Sequence, residues 1–398
     1  MAHSSRRRWL AVALALAAFG AAACSSGSDS GGDQAADSDG ARADRAEAAP
    51  VPEAARGAVY PGDAWERGDA AEAGFDPARL EALAAEAEAA DSNCLVVARD
   101  GRIVADWYWN GTERETVQEV FSTTKSITST LVGIAQADGA LDITDPAAEY
   151  IPEWADGPAS TVTVENLLSN DSGRFWTLAN DYVTLIQTAD RTAFAIGLEQ
   201  SHEPGEVWVY NNAAIQTLDA VLEEATGVDP AEFAEERLFA PTGMRHTAMS
   251  HDNAGNTNTF FGLQTTCEDM VRFGYLFLRR GHWDGTQVVP EEWVEAATGR
   301  PSQDINEAYG YLWWLNRPAA ASNPAESLPR QEAAEAPVRQ TAPEASEDMF
   351  WALGLGGQVV QVDPATETVV VRLGPGNPTA QFGSAQTARV VTEALVEP

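Results

Sequence analysis

Phe121-Ser122-Thr123-Thr124-Lys125-Ser126-Ile127-Thr128-Ser129-Thr130-Leu131-Val132-Gly133-Ile134-Ala135 is the stretch on which the reading turns. From Ser122 to Ala137 it reads as a strongly apolar helix ending near Gly139. Positions i and i+3 share a helical face, so the Ser122 hydroxyl and the Lys125 amine can approach each other. Ile127, Leu131, Val132 and Ile134 would bury that helix and desolvate the amine. Lys125 is the only lysine in the chain; every other one of the 25 basic residues is arginine. Arginine stays protonated at any working pH, whereas a buried lysine can lose its proton and act as a base. A chain that keeps a single lysine, three residues after a serine on an apolar helix, points to an amine that activates a nucleophilic hydroxyl. The plain alternative is a capping serine and a solvated lysine, since Ser-x-x-Lys also recurs by chance.

Two further stretches bear on the same chemistry. Pro204-Gly205-Glu206-Val207-Trp208-Val209-Tyr210-Asn211-Asn212 runs into an apolar helix. A Tyr-x-Asn at such a junction can point a phenol and an amide into a cleft. Near Lys125, Tyr210 would have its pKa lowered and shuttle protons, and Asn212 would orient Lys125 or bind a substrate carbonyl. Taken alone, they read as an ordinary half-buried tyrosine and a helix N-cap. Trp351-Ala352-Leu353-Gly354-Leu355-Gly356-Gly357-Gln358 leads into a strand. A glycine-rich strand edge admits a substrate to the backbone and offers an N–H to an oxyanion; a bulge or turn explains it equally well. Trp176, Tyr182, Trp208, Trp313, Trp314 and Trp351 are available to line an apolar cleft, although each individually reads as core.

Around these stretches the pattern is mixed. Pro77 to Ala90 reads as a helix with Asp76 as N-cap and proline in its first position. Cys94 to Ala98 and Ile103 to Trp109 are β-rich runs joined through Asp100-Gly101, a strong hairpin signal. Helices fit Val164 to Ser169, Asn212 to Thr226, Pro230 to Leu238, Thr266 to Arg280 and Pro290 to Thr298. Gly357 to Val362 and Thr368 to Leu373 read as strands around the turn Asp363-Pro364-Ala365-Thr366, and a helix from Ser384 to Leu395 closes the chain. The expectation is an α+β fold: one sheet assembled from both ends of the chain, flanked by helices, with a mostly helical middle. Residues 317–346, rich in Pro, Ala and Glu and without periodicity, read as a flexible surface insertion.

The start of the chain is separate from that core. Arg6-Arg7-Arg8, an apolar run from Trp9 to Ala23 and the small residues before Cys24 have the layout of a cleaved export signal. Small residues ending on a cysteine resemble the lipobox of a bacterial lipoprotein, which would make Cys24 the lipidated first residue of the mature chain. Residues 25–56, polar and without apolar periodicity, then read as a disordered tether. The expected location is the outer face of the cell membrane, held through the lipid alone.

Net charge is −35, and losing the leader's three arginines makes it more negative still. Such a surface repels phosphate backbones and excludes nucleic acid as a partner. Cys94 and Cys267 remain, either joined or as two buried thiols. No Gly-x-Ser-x-Gly elbow and no His-Glu-x-x-His occurs. His246, His251 and Asp252 read as a surface loop rather than a metal site. No glycine-rich phosphate loop is present. Neither a metal nor a cofactor is expected, and a monomer is.

Taken together, Ser122-x-x-Lys125, Tyr210-x-Asn212 and Gly354-Leu355-Gly356-Gly357-Gln358 resemble the serine β-lactamase and penicillin-binding-protein-like hydrolases. The nearer branch holds class C β-lactamases, related carboxylesterases and 6-aminohexanoate-dimer hydrolases. The likeness runs from about Phe75 to the C-terminus and includes Leu167 to Gly173, Pro204-Gly205, Gly262 to Asp269 and Tyr309 to Trp314. It implies a β-lactamase/transpeptidase-like fold over residues 57–398. It also implies acylation of Ser122, proton handling by Lys125 and Tyr210, and an oxyanion held by the amides of Ser122 and of Leu355 or, one residue on, Gly356. In one respect the chain departs: β-lactamases carry a cationic residue on the closing strand to hold a substrate carboxylate. Here no basic residue lies between Arg339 and Arg372. The resemblance therefore implies a small ester or amide as substrate. A cell-wall D,D-peptidase and a non-catalytic ligand-binding lipoprotein are the rival readings.

Overall fold

The Asp100-Gly101 turn is formed as the sequence expects, with both residues at positive φ (51° and 77°), the backbone a tight hairpin needs. It joins β1 (Cys94–Arg99) to β2 (Arg102–Tyr108). In the computed structural model, which describes residues 51–320 and 324–396, these strands form one edge of a six-stranded sheet. The other members are β3 (Trp314–Leu315), β4 (Phe350–Gly354), β5 (Gln358–Asp363) and β6 (Thr368–Leu373). Their order is β2-β1-β6-β5-β4-β3, with every neighbour antiparallel. Both ends of the chain thus build the sheet, with the N-terminal β1 pairing directly to the C-terminal β6, Cys94 opposite Leu373.

Strand alternation assigns the two faces. Leu95 and Val97 of β1 pack with Leu80, Leu83 and Ala87 of α1 (Pro77–Ala89) on one side. Val96 and Ala98 face the main core on the other, with Val360, Val362, Val369 and Val371. Asp76 caps α1, accepting from the amides of Ala78 and Arg79. The main core includes α2 (Thr124–Ala137), buried from Thr124 to Ala135, and α6 (Cys267–Leu278), packed beneath β6, β5 and β1. A helix covered on all sides is a central one.

Cys94 and Cys267 form a disulfide, which resolves the alternative left open by the sequence. It joins β1 to the first turn of α6 across 173 residues, a closure that contributes about 4–5 kcal/mol in the chain-entropy account.

Three elements differ from expectation. The helix expected over Asn212–Thr226 is two: α4 (Asn212–Gln216) and α5 (Leu218–Thr226), broken at Thr217, whose hydroxyl donates back to the Ala214 carbonyl at 2.6 Å. The segment 317–346, read as flexible, carries paired backbone: Leu328–Pro329 with Val207–Trp208, and Val338–Arg339 with Ala319–Ala320. Ladders of two residues are too short to leave an alternating pattern in the sequence. The folded body also begins before residue 57, since Glu53–Ala55 forms a 3-10 turn and Arg279 Nη1 donates to the Ala54 carbonyl at 2.7 Å. The described residues, from Val51 on, belong to one compact unit. The leader, Cys24 and the tether up to Pro50 lie outside the described residues.

Candidate active site

Ser122 sits in a 3-10 turn (Phe121–Thr123) that runs into α2, so it precedes the α-helix by a turn. Phe121 takes φ +48°, a conformation that costs free energy for an aromatic residue and persists only where its surroundings hold it. Three bonds do so. The Val120 amide donates to the Leu263 carbonyl at 3.1 Å, the Leu263 amide to Thr124 Oγ1 at 3.1 Å, and Thr124 Oγ1 to the Phe121 carbonyl at 2.6 Å. The result is a half-buried Ser122 at the head of a helix buried from Thr124 to Ala135.

Lys125 is 1% exposed. Its Nζ donates to Ser122 Oγ at 2.9 Å and to the Phe260 carbonyl at 2.9 Å, and lies 4.7 Å from the centroid of the Tyr210 ring. Among the described residues no carboxylate forms an ion pair with it. Burial pulls the ammonium well below the ordinary lysine range, while the negative charge of Asp181 works the other way.

Tyr210 meets this pair face-on rather than through a lowered pKa. Its ring stacks on Trp314 at 5.8 Å and meets Tyr309 edge-on at 6.3 Å. Burial raises its pKa, a hydrogen bond with Ser122 opposes that, and Asp181 adds to the rise. This corrects the expectation that Lys125 would depress the phenol: desolvation outweighs the hydrogen bond with Ser122, and Tyr210 rests as a neutral O–H.

Asn212 does not cap its helix. Asn211 does, accepting from the Ala214 amide at 2.9 Å. The Asn212 side chain donates instead to Asp181 at 2.8 Å, and the backbone amides of Asn212 and Ala213 reach the same carboxylate at 3.1 and 2.9 Å. Asp181 is the site residue that sequence reasoning missed. It is one acid among 60, in a stretch without periodicity, and a single turn of π-helix (Asn180–Thr184) brings it here.

Leu355 and Gly356 follow the end of β4. That strand passes so close to the Phe121–Thr123 turn that a Cβ on Gly354 would collide with the Val120 carbonyl, and Gly356 takes φ +81°. Gln358 pins the turn, its Nε2 donating to the carbonyls of Leu355 (2.9 Å) and Gly374 (2.8 Å). Of the aromatic residues named from sequence, Trp208, Trp313 and Trp351 are core, whereas Trp176, Tyr182 and Trp314 are half-buried. His251 contacts Asp229 at 3.2 Å and Asp252 accepts loop amides from Ala254 to Asn256. Among the described residues no group of three or more His, Cys, Asp or Glu is placed to hold a metal. A cavity of about 640 Å³ lies among Trp154, Arg174 and Asp219 and includes neither Ser122 nor Lys125. Chemistry, not volume, marks the site: a hydroxyl, a dry amine and a neutral phenol meet at one point.

The beta-lactamase family model matches residues 80–394. The chain belongs to that family, and with it among serine hydrolases and penicillin-binding-protein-like enzymes. It is 25% identical over 344 residues to the 6-aminohexanoate-dimer hydrolase of Paenarthrobacter ureafaciens, covering 80% of this chain and 83% of that one. It is 28% identical over 184 residues to penicillin-binding protein 4* of Bacillus subtilis, a match spanning 44% of this chain and 38% of that protein. Among solved structures, the octameric penicillin-binding protein homologue of Pyrococcus abyssi superposes with a TM-score of 0.60 at 19% identity, over 80% of this chain and 77% of that one. A penicillin-binding protein homologue of Caulobacter crescentus gives 0.59 at 16% identity, over 81% and 97%. These two establish the fold as β-lactamase/transpeptidase-like.

Proposed function

We propose that the protein hydrolyses a small ester or amide through an acyl-enzyme on Ser122, with Lys125 as the base. The observation that carries this reading is the 2.9 Å contact between a buried lysine amine and the Ser122 hydroxyl. In the neutral amine the lone pair takes the Ser122 proton while Oγ attacks the carbonyl carbon. The tetrahedral anion rests against the amides of Ser122 and of Leu355, or Gly356, donors worth about 10²–10³ in rate. Tyr210, kept protonated by burial, gives its proton to the leaving oxygen or nitrogen and recovers one from the Lys125 ammonium. Water then attacks the acyl carbon and passes a proton to the amine, and the resulting ammonium returns that proton to Oγ as the acyl–oxygen bond breaks, releasing the acid and restoring the Ser122 hydroxyl.

The absence of a basic residue between Arg339 and Arg372 argues against a β-lactam substrate, and the relative that acts on 6-aminohexanoate dimer favours an amide. The match to penicillin-binding protein 4* supports a second reading, a D,D-peptidase. Intact-mass analysis after exposure to esters, linear amides and β-lactams separates them. We expect a transient adduct on Ser122 from esters and amides. Adducts from β-lactams alone would favour the peptidase, and none from any reagent would leave a non-catalytic lipoprotein.

The proposal extends to location: export, lipidation at Cys24 and attachment to the outer face of the cell membrane as a monomer that binds no nucleic acid. A disulfide between Cys94 and Cys267 supports an oxidising compartment. Palmitate labelling of the wild type but not of Cys24→Ala is the expected outcome; equal labelling of both, or of neither, contradicts it.

A further inference from the structure

We propose that Asp181 is a positioning residue of this site: its carboxylate holds the first two residues of α4 behind Tyr210 and stands as the buried counter-charge of Lys125. The inference rests on the acyl-enzyme reading and adds a part to it.

The geometry comes first. Asp181 is 1% exposed, and a single π-helical turn sets it there, a feature that often marks functional positions. It accepts three hydrogen bonds, from Asn212 N, Asn212 Nδ2 and Ala213 N, at 2.8–3.1 Å. A carboxylate only accepts, so Asn212 must offer its NH₂ group, which fixes the orientation of that amide. The same three bonds tether Asn212 and Ala213, two and three residues after Tyr210, the phenol over whose ring Lys125 lies.

The charges come second. Among the described residues no arginine or lysine forms an ion pair with Asp181, and Lys125 is the cation whose charge acts on it. The other titratable groups facing the pair are the phenols of Tyr182, Tyr210 and Tyr309, all raised by burial and therefore neutral. A dry site thus holds one acid and one base. Desolvation drives each toward its neutral form, and their mutual attraction resists it. Desolvation alone would leave a weak base. Asp181 returns part of the amine's proton affinity, so that Lys125 is free at neutral pH and still basic enough to take the serine proton.

Asp181→Asn keeps the size of the side chain and removes its charge. The acid limb of kcat/KM reports protonation of the amine, and losing a neighbouring negative charge lowers the amine's pKa. The limb is therefore expected to move about one unit toward lower pH, with kcat reduced. A role confined to packing would lower kcat and leave the limb in place, and that result overturns the proposal. Should the variant fold poorly, the wild type serves. Lys125 is the only lysine, so ¹³Cε-lysine labelling gives a single side-chain resonance. That resonance should show a second inflection at the acid end, where Asp181 takes up its proton; a single inflection overturns the proposal. The Ser122 adduct keeps the two readings apart. A wild-type adduct with an unmoved limb removes only the role of Asp181, whereas no adduct removes the hydrolase reading itself.

Discussion

Ser122→Ala is expected to lower turnover of a p-nitrophenyl ester by roughly 10⁴–10⁶-fold, the range found when a nucleophile that works as part of a unit is deleted. The fold should survive. Ser122 is half-buried, and its Oγ gives up one bond to Lys125, whose amine keeps the Phe260 carbonyl as acceptor. The loss is that of the bonds to Lys125 and to the Tyr210 phenol, about 1–3 kcal/mol. Near-UV circular dichroism and the thermal midpoint measured beside the rate distinguish lost chemistry from lost structure. Hydrolysis that persists at the wild-type rate moves the nucleophile elsewhere.

Lys125→Met has the second-largest expected effect, and activity should fall far more than stability. Methionine fills nearly the same volume in a site that is 1% exposed. Without the amine the serine proton has no acceptor, and the rate should fall by about 10²–10⁴-fold, the usual weight of a positioned base. Stability should fall modestly, by about 1–3 kcal/mol: the cost of burying the amine disappears, but the Phe260 carbonyl loses its donor and the Asp181 carboxylate its counter-charge. Melting curves and initial rates on one preparation check both halves. A variant that loses activity and unfolds together would make Lys125 a structural group, contrary to the mechanism.

The parts legible in the sequence are those that local chemistry enforces. Asp100-Gly101 between two β-rich runs announces a hairpin, Asp76-Pro77 announces a helix start, and a lone lysine three residues after a serine announces the contact between its amine and the hydroxyl. The parts that were not legible depend on distant atoms. Cys94 and Cys267 lie 173 residues apart, and nothing in their spacing says that β1 and α6 bring them together. The direction of the Tyr210 shift depends on Trp314 and Tyr309 stacking around the ring and drying it, which a Tyr-x-Asn motif does not convey. Asp181 carries no signal in a chain with 60 acids, because its partners are two backbone amides and one side-chain amide 31–32 residues away. The segment 317–346 lacks periodicity because its strands are two residues long.

Everything rests on an amine that is uncharged when the serine needs a base. The protein contains one lysine, so its ¹³Cε resonance can be titrated directly in the wild-type enzyme. The account predicts a midpoint well below the ordinary lysine range; a resonance that titrates like that of a free lysine side chain would contradict it.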